Sequence, residues 1–212
     1  FVVTDSTAKS NTAVSSTVTV TAVNDAPTLA GVTTTHNYNE NTINATPQVL
    51  DASVTFDDTD ATVLNGGLIT ISNLDNADVL SVQNNGNITL NGSDVEWTGG
   101  IVFGTLSGGT NGSDFVITLN ANSTATRVDE LLENITYKDT SDQPTAAHTI
   151  SLSVTDGAGG ATGNTDIDIN ITAQDDSPVV TASGGTPTFT EDGTPLVLDS
   201  AITVVEPDGD NI

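Results

Sequence analysis

TDIDINITAQDDSP, residues 165–178, holds the passage on which the fold turns. Its first nine residues, TDIDINITA (165–173), alternate polar with β-branched side chains, the period of two that a half-buried strand requires. The strand then passes into two acids and a proline, AQDDSP (173–178). The same passage occurs earlier, where TVTVTAV (17–23) runs into AVNDAP (22–27), and Pro27 and Pro178 stand 151 residues apart. Asp5 of VVTDSTAKS answers to Asp156 of SVTDGAGG, and Glu40 of YNEN to Glu191 of FTED, each again 151 residues on. VLDASVTFDDTD, ending at Asp60, answers to VLDSAITVVEPD, ending at Asp208, at an offset of 148, so a three-residue loop deletion separates the copies. Acidic landmarks kept in one order at nearly one spacing mark a tandem repeat of about 150 residues.

The chain therefore divides into the closing strands of one module (1–25), a complete module (26–175) and the opening strands of the next (176–212). The two partial flanks are expected to need partners, because neither can bury a core alone. Strand runs are expected at 49–56, 67–72, 79–82, 87–90, 101–106, 114–119, 148–154 and 165–173, besides 17–23, with Gly, Asn and Asp clusters between them. The two NGSD strings, at 91–94 and 111–114, read as hairpin turns. One segment breaks the pattern: in STATRVDELLENITY, Ser123 or Thr124 can cap a short helix that carries Val128, Leu131 and Leu132 on one face. The fold expected is all-β, a Greek-key sandwich of the Ig or cadherin kind with inserted strands and one short helix.

Charge narrows the partners. Three basic residues (Lys9, Arg127, Lys138) stand against 28 acidic ones, for a formal net charge of −25. Such a surface repels nucleic acid and anionic lipid, and the sequence contains no apolar run of membrane-spanning length, so neither nucleic acid nor direct membrane insertion is expected. There is no Cys, so no disulfide reinforces the fold. Cations are the natural partners.

TRVDELLENITYKDTSDQP, SVTDGAGGATGNT and AVNDAP, in that order in the module, resemble the cadherin-like repeats of giant bacterial RTX-type surface adhesins, related to the chondroitin sulfate proteoglycan-type repeat. The resemblance implies a seven-stranded sandwich with insertions, arranged head to tail with adjacent repeats of the same polypeptide and with calcium at the junctions. It also implies a secreted protein at the bacterial cell surface, serving cell adhesion or biofilm formation.

The residues support a cation independently. In a sandwich whose strands alternate in direction, loops collect at two ends. One end would gather Asn24 and Asp25 of the incoming linker, Asp58 and Asp60 of FDDTD, and Asp156. The other would gather Glu40, Asp139 and Asp142 of KDTSD, Asp175 and Asp176 of the outgoing linker, and Glu206, Asp208 and Asp210 of the next module; Glu191 repeats Glu40 one module on. Alternate carboxylates in an extended loop project to one side, which suits Ca2+ with its shell of about 6–8 oxygens at roughly 2.3–2.6 Å. Zinc prefers nitrogen and sulfur, and the chain has no Cys and two distant His. Acidic loops also serve as solvated surface, and Asp139 and Asp142 also fit a turn that bonds its own backbone.

Catalysis is not expected. Carboxylates are too plentiful to single out a glycosidase pair. No G-x-S-x-G elbow is present for a serine nucleophile, and His36 and His148 lie in strand-like runs. Lys138, beside acids in YKDTSD, is badly placed for an internal amide cross-link. The expected role is a calcium-rigidified extender. The alternative is a module that binds a sugar or peptide through the long segment 64–120, around Trp97.

Overall fold

The computed structural model describes residues 16–209. Its elements run β1 (Thr28–Ala30), β2 (Thr35–Asn39), α1 (Glu40–Ala45), β3 (Gln48–Val49), β4 (Thr55–Asp57), β5 (Leu68–Ser72), β6 (Asp78–Val82), β7 (Ile88–Asn91), β8 (Asp94–Trp97), β9 (Ile101–Ser107), β10 (Phe115–Leu119), α2 (Ala125–Leu132), β11 (Ile135–Asp139), β12 (Ala147–Val154), β13 (Thr165–Thr172), β14 (Val179–Thr181) and β15 (Thr203–Val205). The larger sheet has eight strands in the order β2-β13-β12-β5-β10-β9-β8-β7. The facing layer holds β3-β11-β6 and the pair β1-β4, and β14 pairs with β15 in a separate two-stranded sheet. The protein is an all-β sandwich.

Alternation along the strands builds the core. In β13, Ile167, Ile169 and Ile171 are buried, while Asp166 and Asp168 on the alternate positions accept from Ser151 Oγ (2.9 Å) and Thr149 Oγ1 (2.8 Å) of β12. Ile150, Leu152 and Val154 of β12, and Phe115, Ile117 and Leu119 of β10, extend that inner face. Leu80, Val82, Ile135 and Tyr137 oppose it from β6 and β11. At about 1.5–3 kcal/mol for each fully buried aliphatic or aromatic side chain, this core is the main stabilising term. Among the described residues the aliphatic and aromatic core spans Ile43 to Ile171, whereas Val18, Val20 and Val23 on one flank and Val179, Leu198 and Val205 on the other are exposed.

Helix α2 forms as the sequence predicts. Thr124 is its N-cap, with its hydroxyl accepting from Arg127 N, and Val128, Leu131 and Leu132 are all buried. Asp129, on the same helix, accepts from Phe56 N at 2.7 Å and so ties the helix to β4.

Three expectations need correction. The run 49–56 is not one strand: β3 ends at Val49 and β4 begins at Thr55. Asp51 interrupts it, because its carboxylate accepts from Thr33 N (2.5 Å), Ser53 N (2.8 Å) and Ser53 Oγ (2.7 Å), a turn that sends the two halves to different partners. There are two helices among the described residues rather than one, since Glu40 opens α1, whose Ile43 is completely buried. Residues 17–23 keep the strand alternation but form no strand, for alternation needs hydrogen-bonding neighbours such as β12 and β2 give to β13. The expected strand runs also leave out β1 and β8 and give no bounds to β11.

Asp51→Ala should lower stability by about 3 kcal/mol, because it strips a charged acceptor from three donors and leaves backbone N–H groups unpaired. Chemical denaturation at neutral pH measures this. A loss below about 0.5 kcal/mol would mean that the strand break is set elsewhere.

Candidate metal centre

The parallel pairing of β2 with β13 ends at Asn39 opposite Thr172, so the next residue of each strand enters the same space. Glu40 is therefore pressed against the outgoing linker. Its side chain is fully buried, and Oε2 accepts from Gln174 N at 2.6 Å. Oε1 has no partner. Two residues further along the chain, Asp176 N donates to Asp208 Oδ2 at 2.5 Å, which brings in the turn at residues 206–209. That turn is closed by Gly209 N on Glu206 O (3.3 Å) and steadied by Gln143 Nε2 on Pro207 O (3.3 Å).

Glu40, Asp176 and Asp208 each offer a carboxylate oxygen, and these oxygens lie within 4.8 Å of one another. Two ligands on opposite sides of one calcium ion are separated by about twice the bond length, roughly 4.6–5.2 Å, so three oxygens at this spacing fit one coordination shell. Glu206, in the same turn as Asp208, also has a buried oxygen without a partner, Oε1. Asp142 and Asp175 line an open cleft of about 410 Å³ together with Asp208 and Gln174.

The electrostatics of this end are unbalanced. Burial pushes the Glu40 carboxyl up, the Gln174 N–H opposes that, and the negative charges of Asp176, Asp208 and Asp142 push it up further. No Lys or Arg pairs with these acids among the described residues, where the side-chain ion pairs are those of His148 with Asp75 and Asp78. An orphaned buried carboxylate oxygen amid like charge is the setting that a hard cation would complete. The donor set fits calcium.

At the opposite end the expected residues also meet, but through hydrogen bonds. Asn24 Nδ2 donates to Asp156 Oδ2 at 2.7 Å, and Asp25 N to Asp60 Oδ2 at 3.1 Å. Asp156 Oδ1 accepts from the N–H groups of Ala158 (2.7 Å), Gly159 (3.0 Å) and Gly160 (3.0 Å). Gly160 is required there, since a Cβ would fall 2.3 Å from Asp156 Oδ2 and 2.8 Å from Ala26 Cα. Asp58 Oδ1 accepts from Ala61 N at 2.9 Å, and its buried Oδ2 has no partner. Among the described residues, no three acids of this end bring their oxygens as close together as Glu40, Asp176 and Asp208 do.

Asp156 carries a testable charge effect. Burial raises its carboxyl, but the Asn24 amide and the N–H groups of residues 158–160 outweigh that and hold it below the usual 3.8. The stability it contributes is present above pH 3.8 and lost as pH falls through the lower folded value. Acid unfolding followed by circular dichroism should show a shallower dependence below pH 3.8 in Asp156→Asn than in the natural chain. An unchanged acid limb would exclude this group.

Not every candidate joins a cluster. Asp139 is buried, accepts from Ser141 N at 2.7 Å, and faces Asp78 and His148 instead of Glu40, Asp176 and Asp208. Glu191 sits exposed in the turn that Gly193 N closes on Thr190 O, far along the chain from either linker. Asp210, like Asp5, lies outside the described residues. Gln174 and Gln143 were missed as positioning residues, because a backbone donor and a long amide leave no motif. No protein-family model matches the chain, and no match to a curated protein is found.

Proposed function

We propose that the chain is a non-enzymatic extender segment of a secreted bacterial surface adhesin, in which calcium ions stiffen the junctions between successive modules. The observation that carries this reading is the convergence of Glu40, Asp176 and Asp208, three acids drawn from the module, the linker and the following module. Calcium held there would neutralise the charge and fix the angle of one module on the next. Glu40 and Asp208 would hold it from the two sides and Asp176 from the hinge. Without the ion, carboxylates closer than the Debye length of about 8–10 Å repel one another, and the hinge opens. Many such modules in series would hold a distal adhesive domain away from the cell.

The alternative, a sugar- or peptide-binding module, has less support at Trp97. The Arg127 guanidinium lies 5.5 Å over its ring and Phe103 packs edge-on at 6.5 Å, so the indole is engaged in packing the β7–β9 insertion.

Small-angle scattering of a chain with two complete modules tests the proposal. A single elongated form in calcium and a broader, more bent distribution in chelator is the expected result. Superimposable distance distributions in the two conditions would leave the extender role without its physical basis.

A further inference from the structure

His148 joins the two layers of the sandwich. It stands on β12 of the larger sheet, and its Nε2 lies 3.0 Å from Oδ2 of Asp78, on β6 of the facing sheet. Asp78 is fully buried and also accepts from Tyr137 Oη (2.6 Å) and Asp75 N (2.7 Å). The side chain of His148 is only 10 % exposed, and its Nδ1 lies 3.9 Å from Asp75 Oδ2 without a hydrogen-bond partner. Asp139 of β11, opposite Asp78 in register, adds a third carboxylate, while β13 presents the apolar Ile169. Lys138 alternates to the other face of β11. Three carboxylates thus face one imidazole, a charge balance that favours its cation.

We propose that His148 is a proton-sensitive clasp between the two sheets, tightened by the imidazolium and weakened when that proton leaves. The hydrogen bond to Asp78 raises the imidazole above its usual 6.5 against the opposing effect of burial, and the charges of Asp78, Asp75 and Asp139 add to the rise. The stability it contributes is therefore fully present below pH 6.5 and lost as pH rises through the folded value. His36 behaves oppositely, since burial lowers it more than Asp51 and the Thr33 backbone raise it. The clasp belongs to the module's own interior and does not depend on a cation at the junction.

The chain has two histidines, so proton NMR resolves the question directly. Titration of the whole chain in chelator from about pH 5 to 9 should give one ring signal with a midpoint above 6.5, absent in His148→Gln, and one below it. Asp75→Asn should lower the first midpoint and leave the second in place. Over the window above pH 6.5, the folding equilibrium constant of the natural chain should fall by up to about tenfold per pH unit, and His148→Gln should flatten that fall. A His148 midpoint at or below 6.5, or an alkaline loss of stability that persists in the variant, would overturn the clasp. If His148→Gln does not fold, the midpoint in the natural chain and its response to Asp75→Asn decide alone.

Discussion

Calcium is expected to raise the melting temperature of this chain by roughly 5–10 °C for each ion bound at a free concentration about 100 times its Kd. An ion held only by the folded state adds RT ln(1 + [L]/Kd), about 2.7 kcal/mol at that excess. For a chain of this size each kcal/mol moves the midpoint by about 2–4 °C. Magnesium should do far less, since it demands a tighter octahedral shell and gives up water reluctantly. Differential scanning calorimetry in chelator, magnesium and calcium makes the comparison. Equal midpoints in chelator and millimolar calcium would contradict cation binding at both ends of the module.

Glu40→Gln should reverse sign with conditions. In chelator the natural chain buries a carboxylate whose Oε1 has no partner, beside Asp176, Asp208 and Asp142. The amide removes the charge that burial and those neighbours oppose, so the variant should be the more stable protein there. In calcium the order should invert. The variant keeps one oxygen but loses a full negative charge from the ligand set, and calcium affinity follows ligand charge, so Kd should rise by about tenfold or more. Paired melts of the two proteins, with and without calcium, measure both halves. A variant less stable in chelator by as much as in calcium would make Glu40 an ordinary packing residue.

The sequence disclosed the sandwich because its strands carry their own signal. Ile167, Ile169 and Ile171 alternate with polar residues, and Val128, Leu131 and Leu132 share one helix face after the Thr124 cap. The strand break at residues 50–54 was hidden because it depends on Thr33, eighteen residues away, whose N–H reaches Asp51. Helix α1 was hidden for a similar reason: it has only six residues, no side-chain cap bond, and one buried apolar residue, Ile43. Short elements are decided by packing more than by propensity.

The sites divide along the same line. The 151-residue offset pointed to Glu40 and Asp176, and loop polarity placed Asp208 with them. Asp139 looked identical to Asp142 in KDTSD, yet the alternation of β11 turns it inward toward Asp78 while Asp142 lines the cleft with Asp175 and Asp208. Which of two neighbouring acids reaches a junction depends on the residue at which the strand ends. His36 and His148 read only as strand residues, because the acids that give each its setting, Asp51 and Asp78, come from separate segments.

The most direct test of the central claim is a crystal structure of the chain grown in calcium, with anomalous scattering recorded to locate the ion. The account predicts an anomalous peak at roughly 2.3–2.6 Å from carboxylate oxygens of Glu40, Asp176 and Asp208 together, completed by water or neighbouring oxygens. The contrary result is a junction in saturating calcium where no such peak lies between these three residues and Glu40 keeps its carboxyl unliganded.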